Sequence, residues 1–350
     1  MSEPAPVSGI SRYLLIVALL IVIALGVRVA ADLVTILVVS LVLTLLTLPA
    51  VAALDRRGVP HGISVAIVSL GAFLLLLGLV GLLVYALQVL VTDIGFFQEE
   101  LDRRIAALIL MIDDLGFDIP ALSLSSLNLG ALAGIALGYL SRVGNLLMNV
   151  FFIMITTFFL LIEAPHLPQR AARILGPGSP AVDQAARMSG FVMDFLVVRT
   201  KTNFVDGLAF GGILMILGVH AAVLWGVLTF LCGYVPYLGL LLTALPATFF
   251  AWLQYGLPGA IAVVVLALVL NLIVENPVFS YFAARAFEVP AVLVVLSVLF
   301  FGWLLGLVGL LFAVPLMLML LVLVQLSEET RWINVLLGVD GLFEDGDDRP

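Results

Sequence analysis

Between Gly207 and Ala284 the only formal charge is the carboxylate of Glu275. It sits in the run Asn-Leu-Ile-Val-Glu-Asn-Pro, with Asn271 four residues before it and Asn276 and Pro277 directly after. An acidic side chain at mid-membrane costs ~2.5–3.5 kcal/mol, so an acid kept there is read first as a functional group. Against an apolar wall its pKa would rise, letting it hold a proton in one conformation and release it in another. The plainer alternative is a helix end from which Glu275 reaches water. Asn271 and Glu275, four apart, share one helix face. Pro277 lacks a backbone N–H and frees a carbonyl one turn back. Asn203 and Asp206, three apart, also share a face, and Asp206 is the other acid near the expected core. The segment Gly233-Tyr-Val-Pro-Tyr-Leu-Gly239 interrupts the chain between two short apolar runs. Tyr234, Pro236, Tyr237 and Gly239 line either a gate or a tight turn with interfacial tyrosines. Pro315 breaks the last apolar stretch. Broken helices that offer free carbonyls and dipole ends are a way to build solute and ion sites inside a bilayer. The expectation is a small polar cavity around these residues.

Other chemistries fit poorly. Lys201-Thr202 is the only Lys-Ser/Thr pair, and a phosphate loop needs glycine where Phe195 and Thr200 stand. His61, His166 and His220 are scattered, with no second metal ligand or serine partner at a useful spacing, and read as interfacial histidines. The single Cys232 rules out an intramolecular disulfide and a cysteine-based metal cage. Fourteen of the fifteen basic residues are arginines, dispersed along the chain, so no basic stripe points to nucleic acid. Neither an enzyme nor a cofactor is expected.

The elements that must position the polar residues follow from composition. The chain is 63% hydrophobic and 11% charged, whereas soluble domains carry about a quarter charged residues. Apolar runs of crossing length recur, and lipid cannot satisfy an open backbone, so the spans are helices or a closed barrel. Continuous Leu/Val/Ile/Ala runs without alternation select an all-α polytopic membrane protein. Spans are expected near 13–30, 33–53, 62–91 and 143–163, then 204–219, 221–236, 238–255 and 258–277. A final apolar stretch covers 290–326, too long for one straight span and interrupted by Gly302, Gly306, Gly309 and Pro315. It reads as two short spans or a re-entrant hairpin. Gly302-xxx-Gly306 reads as a site of close helix approach, with a hinge as the alternative. The first run is not taken as a cleaved signal, because Arg28 crowds the loose cleavage site at 29–31 and a second run starts at Leu33.

This divides the chain into three N-terminal spans (1–91), an acidic amphipathic segment (92–142), a fourth span (143–163), a basic amphipathic segment (164–202), C-terminal spans with broken helices (203–330) and an acidic tail (331–350). Basic residues 56, 57 and those of 164–202 belong inside and the acid-rich 92–142 loop outside, with both termini cytoplasmic. Arg285 then falls inside as well. Phe97, Leu101, Ile105, Leu108 and Ile112 form one apolar face of the outer segment. On the inner segment Ser179 and Pro180 open a helix whose apolar side carries Phe191, Phe195 and Val198. Each amphipathic helix would lie along the membrane or pack on a neighbouring subunit.

The second half resembles the autoinducer-2 exporter family of bacterial membrane proteins. The resemblance rests on GVHAAVLWGVLTFLCGYVPYLG at 218–239, ALPATFFAWLQYG at 244–256, the Asn-xxx-Glu-x-Pro run at 271–277 and VPAVLVVLSVLFFGWLLGLVGLLFAVPL at 289–316. The order of these blocks, with the hairpin-forming spans and both amphipathic segments, extends it over nearly the whole chain. Two departures stand out: Asn276 separates the acid from Pro277, and the inner loop is poorer in Lys and Arg. The resemblance implies a permease of about eight spans in the bacterial inner membrane, acting as a homo-oligomer. It implies export of a small furanosyl signalling molecule or another small polar solute, coupled to a proton or cation. Sodium/proton exchange is the alternative within that class, and a non-transporting scaffold or sensor is the alternative outside it.

Overall fold

The computed structural model describes residues 9–114, 128–167, 169, 170, 173, 180–235, 239–275, 290–325, 330 and 332–339. All regular structure among them is helical. The elements are α1 (Gly9–Val29), α2 (Ala31–Asp55), α3 (His61–Thr92), α4 (Ile94–Asp114), α5 (Gly130–Leu140) and α6 (Val143–Glu163), then α7 (Pro180–Ile216), α8 (Ala222–Cys232), α9 (Gly239–Tyr255) and α10 (Leu257–Leu270). α10 runs into a π turn (Asn271–Glu275), and α11 (Ala291–Leu311), α12 (Ala313–Gln325) and α13 (Trp332–Leu336) complete the chain. Five helical segments have the length and apolar character of a crossing: 31–55, 61–92, 143–166, 257–274 and 291–311.

Local sequence explains the breaks. Pro60 and Pro290 precede α3 and α11, where a fixed φ suits a helix entry and no donor is lost. Gly256, at φ 69°, turns the chain between α9 and α10. α7 begins at Pro180 and runs 37 residues without interruption, carrying the 180–202 stretch and the following apolar run as one rod.

α2, α3 and α6 pack together through Val51, Val65 and Leu161. Ser40 on α2, fully buried, donates to the Ile153 carbonyl of α6 at 3.2 Å, and Thr157 of α6 donates to the Ser40 carbonyl at 3.4 Å. Where neighbours are as apolar as lipid, such hydrogen bonds between small side chains hold helices in register. α7, α8, α9 and α10 form a second group, with Trp225, Phe250, Leu253 and Phe210 in its core. The predicted face of α4 docks into that core. Phe97, Leu101 and Ile105 are buried, and Phe97 meets the Phe250 ring edge-on at 5.0 Å. Those three side chains therefore cover α9 of their own chain and not a membrane surface or a second subunit; Leu108 and Ile112 lie outside the described side chains.

The expected close approach at Gly302 and Gly306 takes another form. Gly306 has φ 66° and ψ −140°, and the chain folds back there. A Cβ on Gly302 would lie 3.6 Å from that of Leu310, and one on Gly309 would overlap the Phe301 carbonyl. Residues eight apart would be about 12 Å from each other in a straight helix. The glycine spacing thus serves a reversal of one chain. The arm from Ala291 to Leu305 is about 22 Å long, short of the ~30 Å hydrocarbon thickness. This antiparallel pair seats on α2 and α7 through Val42, Leu196, Val314 and Leu318. α1 leans on α2 and α11, and Arg28 at its end stacks 4.5 Å from the Trp303 ring centroid.

Candidate functional site

The strongest convergence of polar groups lies where α7 meets the turn after α8. Arg199, Thr200 and Asn203 occupy one side of α7, and each reaches a different group of that turn. Arg199, only 8% exposed, donates through Nε (2.7 Å) and Nη2 to the Gly233 carbonyl. Thr200 Oγ1 lies 2.6 Å from the Tyr234 hydroxyl. Asn203, fully buried, accepts from the Tyr234 N–H at 3.1 Å and donates to the Arg199 carbonyl at 3.3 Å. The sequence fits these positions tightly. A Cβ on Gly233 would sit 2.5 Å from the Asn203 carboxamide, and one on Gly239 would overlap the Cys232 carbonyl and lie 3.0 Å from Gly233 Cα. Tyr234 itself is buried, and its ring faces Phe312 at 5.4 Å, between α11 and α12. Val235, Val298, Leu311 and Ala313 complete that contact.

One turn along α7 the backbones of α7 and α8 touch. A Cβ on Gly226 would fall 2.8 Å from the Gly207 carbonyl and 3.0 Å from Gly211 Cα. Asp206, beside Gly207, is half-buried. The π turn Asn271–Glu275 also lies against α7. π turns widen a helix and often mark working positions. This one stands just where Pro277 removes a donor in sequence.

The predicted site residues thus fall into three groups. Asn203, Tyr234 and Gly239 are brought together directly, and Pro315, buried at the start of α12, follows the Phe312 contact within one turn. Asp206 and the backbone of Asn271 and Glu275 are on or beside α7, and the Asn271 side chain is exposed. Pro236, Tyr237, Asn276 and Pro277 lie outside the described residues. Arg199 and Thr200 were not singled out from sequence. Charge placement alone puts Arg199 with the basic residues of 164–202, but its spacing with Asn203 (i, i+4) is a usable signal. The Gly207-xxx-Gly211 pair was an equally visible one.

A second polar cluster closes the other end of this helix group. The His220 N–H donates to Gln254 Oε1 at 2.9 Å, and Gln254 Nε2 and the Tyr255 hydroxyl both donate to the Gly218 carbonyl. Trp225 Nε1 donates to the His220 carbonyl at 3.0 Å. The His220 ring packs on Phe97 at 4.8 Å, and its Nε2 sits 3.3 Å from Asp93 Oδ2, an ion-pair distance without hydrogen-bond alignment. Burial lowers the His220 pKa, and the Asp93 carboxylate partly offsets this. Among the described residues no group of three His, Cys, Asp or Glu is placed to hold a metal.

Residues 15–329 match the model of the AI-2E family transporters. The chain is 25% identical over 338 residues to the AI-2 transport protein TqsA of Escherichia coli K12, covering 96% of this chain and 98% of that protein. It is 28% identical over 339 residues to a protein of Haemophilus influenzae named as a candidate transport protein, covering 94% and 97% respectively. It is 27% identical over 339 residues to the similarly named YhhT of E. coli K12, covering 97% of each. A match over this length, on an all-helical chain of apolar spans, makes the protein a multi-pass bacterial inner-membrane transport protein and not a catalyst: it belongs to the AI-2E transporter family.

Proposed function

We propose that this protein is a secondary transporter that exports a small polar solute, with an autoinducer-type signalling molecule as the first solute to test. In this reading movement is coupled to a proton or cation through Glu275 and Asp206. The observation that carries it is the position of the π turn Asn271–Glu275, which lies against α7, the helix bearing Asn203 and Asp206. A widened helix turn with an acid at its end supplies both free carbonyls and a titratable group, the two features a coupling-ion site needs. Asn271 joins that site, and Asn276 and Pro277 shape it. Tyr234, Pro236, Tyr237 and Gly239, with Pro315 beyond Phe312, form its gate.

About eight crossings, with residues 290–326 as a re-entrant hairpin and both termini cytoplasmic, give the architecture for this function. The reversal at Gly306 and the short arm before it support the hairpin. The apolar stretch Leu19–Ile23 on α1, every residue of it more than half exposed, supports a surface given to lipid or to a second copy in a homo-oligomer.

The test is flux in proteoliposomes with a panel of small polar solutes, with and without pH and sodium gradients. Glu275→Gln is expected to abolish solute flux while expression and assembly persist. Normal flux in that variant would remove the coupling role. Gradient-driven cation movement with no solute flux would replace export by sodium/proton exchange, and no flux of either kind would favour a scaffold.

A further inference from the structure

We propose that α13 (Trp332–Leu336) is an interfacial anchor, whose Trp332, Val335 and Leu336 side chains insert between the headgroups and acyl chains of the membrane that the chain spans. This role is independent of the transport reading and needs only a membrane-spanning chain. Spaced i, i+3 and i+4, the three residues share one side of the helix, and they are 61%, 57% and 74% exposed. The opposite side is fixed to the protein. Asn334, fully buried, donates to the Leu321 carbonyl at 3.2 Å and to Gln325 Oε1 at 2.8 Å. Thr330 Oγ1 donates at 2.6 Å to the Val324 carbonyl, one of the last four of α12, which have no partner within the helix. Gly338, at φ 67°, follows α13, and Val339 enters the cluster of Val294 and Leu321.

Those contacts set the depth. Leu321 lies one turn inside the end of α12, and Val294 one turn inside the start of α11. A Cβ on Gly338 would lie 3.9 Å from Pro290, where the run holding Arg285 and Glu288 gives way to uncharged α11. The segment 332–339 therefore turns back to the level at which α11 enters the bilayer and α12 leaves it. An indole at that level, its ring apolar and its N–H polar, suits the boundary layer better than either side of it. Single exposed apolar side chains are ordinary, but three on one side of a five-residue helix make a membrane-facing pattern. A second copy of the chain is a poorer occupant, since three side chains offer roughly 500 Å² against about 800 Å² per partner in a stable interface. Anionic headgroups are not the attraction, because five acids follow from Asp340 to Asp348. Insertion is apolar, and neutral lipid suffices.

The experiment reads Trp332 fluorescence in the full-length protein reconstituted into phosphatidylcholine vesicles. The signal is the difference between the unaltered protein and Trp332→Phe, so that Trp225, Trp252 and Trp303 cancel. Phosphatidylcholine brominated at the headgroup end of its acyl chains should quench that signal roughly twofold or more. Bromines at the methyl ends should quench it less, and aqueous iodide should quench it little. Quenching by iodide and by neither lipid would put this side of α13 in water. Quenching by none of the three would put it against protein. Either result overturns the anchor, as does stronger quenching from the methyl ends. Should Trp332→Phe not assemble, Val335→Cys in a Cys232→Ser background carries a nitroxide instead. Its collisions with dissolved oxygen should outnumber those with a water-soluble nickel chelate, and the reverse order overturns the anchor.

Discussion

Asn203 and Tyr234, thirty-one positions apart, are joined side chain to backbone: the buried carboxamide accepts from the Tyr234 N–H at 3.1 Å. The sequence presented Asn203 as a polar residue in a span, available to a solute. In the fold its hydrogen-bonding capacity is spent on the chain itself.

Asn203→Ala should therefore destabilise the protein before it affects solute recognition. It leaves the Tyr234 N–H with only the longer contact to the Leu231 carbonyl at 3.4 Å and removes one of the bonds to the Arg199 carbonyl, at a cost of about 0.5–1.5 kcal/mol. Thermal unfolding in detergent should show a lower midpoint. An unchanged midpoint with lost solute flux would return Asn203 to a binding role.

The glycines of the α7–α8 crossing should respond unequally to alanine. At Gly226 a methyl meets the Gly207 carbonyl at 2.8 Å and Gly211 Cα at 3.0 Å, both backbone atoms that cannot yield. The expected loss is about 1–3 kcal/mol. At Gly212 nothing lies within 4 Å, so alanine should be neutral or should stabilise the helix by up to about 1 kcal/mol. Equal melting shifts for the two would contradict the crossing.

The His220 cluster should loosen in acid. Burial disfavours the imidazolium, so the folded arrangement binds the proton less readily than the opened one. The stabilisation is complete above the free imidazole pKa of about 6.5 and is lost as pH falls through the lowered folded value. Asp93 stands beside the ring, and the Tyr255 hydroxyl holds the Gly218 carbonyl two residues before it. Asp93 is half-exposed and compensates only in part. Protection factors along α4, taken against the intrinsic exchange rate at each pH, should fall between pH 7.5 and 5.5, and His220→Gln should flatten that response. Protection factors independent of pH in the unaltered protein would refute the assignment.

Two glycines near the reversal should also separate. Gly306→Ala meets no atom within 4 Å, and its cost is the backbone alone, whose φ 66° and ψ −140° are open almost only to glycine, about 1–3 kcal/mol. Gly309→Ala drives a methyl into the Phe301 carbonyl and should cost more. Expression and melting of the pair would rank them; the opposite order would argue against a fold-back at this point.

The helical character of the chain was readable because lipid-like composition leaves few backbone solutions, and the 3.6-residue period already marked Phe97, Leu101 and Ile105 as one face. Their partner was not readable. Periodicity on α4 says that a face is buried but not against what, and the answer needed Phe250 and Trp225 from far along the chain. Arg199 was misjudged for a related reason. Counting charges in loops treats each as solvated, whereas this guanidinium is carried inward by the unbroken α7, where the Gly233 carbonyl accepts from it twice. Gly302 and Gly306 have the spacing of a helix crossing, and only the positive φ at Gly306, invisible in sequence, turns that spacing into a bend.

That bend also bears on how the chain is threaded into a bilayer. By hydropathy and length alone, residues 291–311 would be inserted as a crossing. Folded back at Gly306, the segment brings Val294 and Leu321 into one cluster, so it returns to the end at which it started. As the re-entrant hairpin proposed above, it would add nothing to the parity that decides on which side the acidic tail lies. Deleting the whole excursion would leave the tail on its own side, whereas straightening it would transfer the tail across.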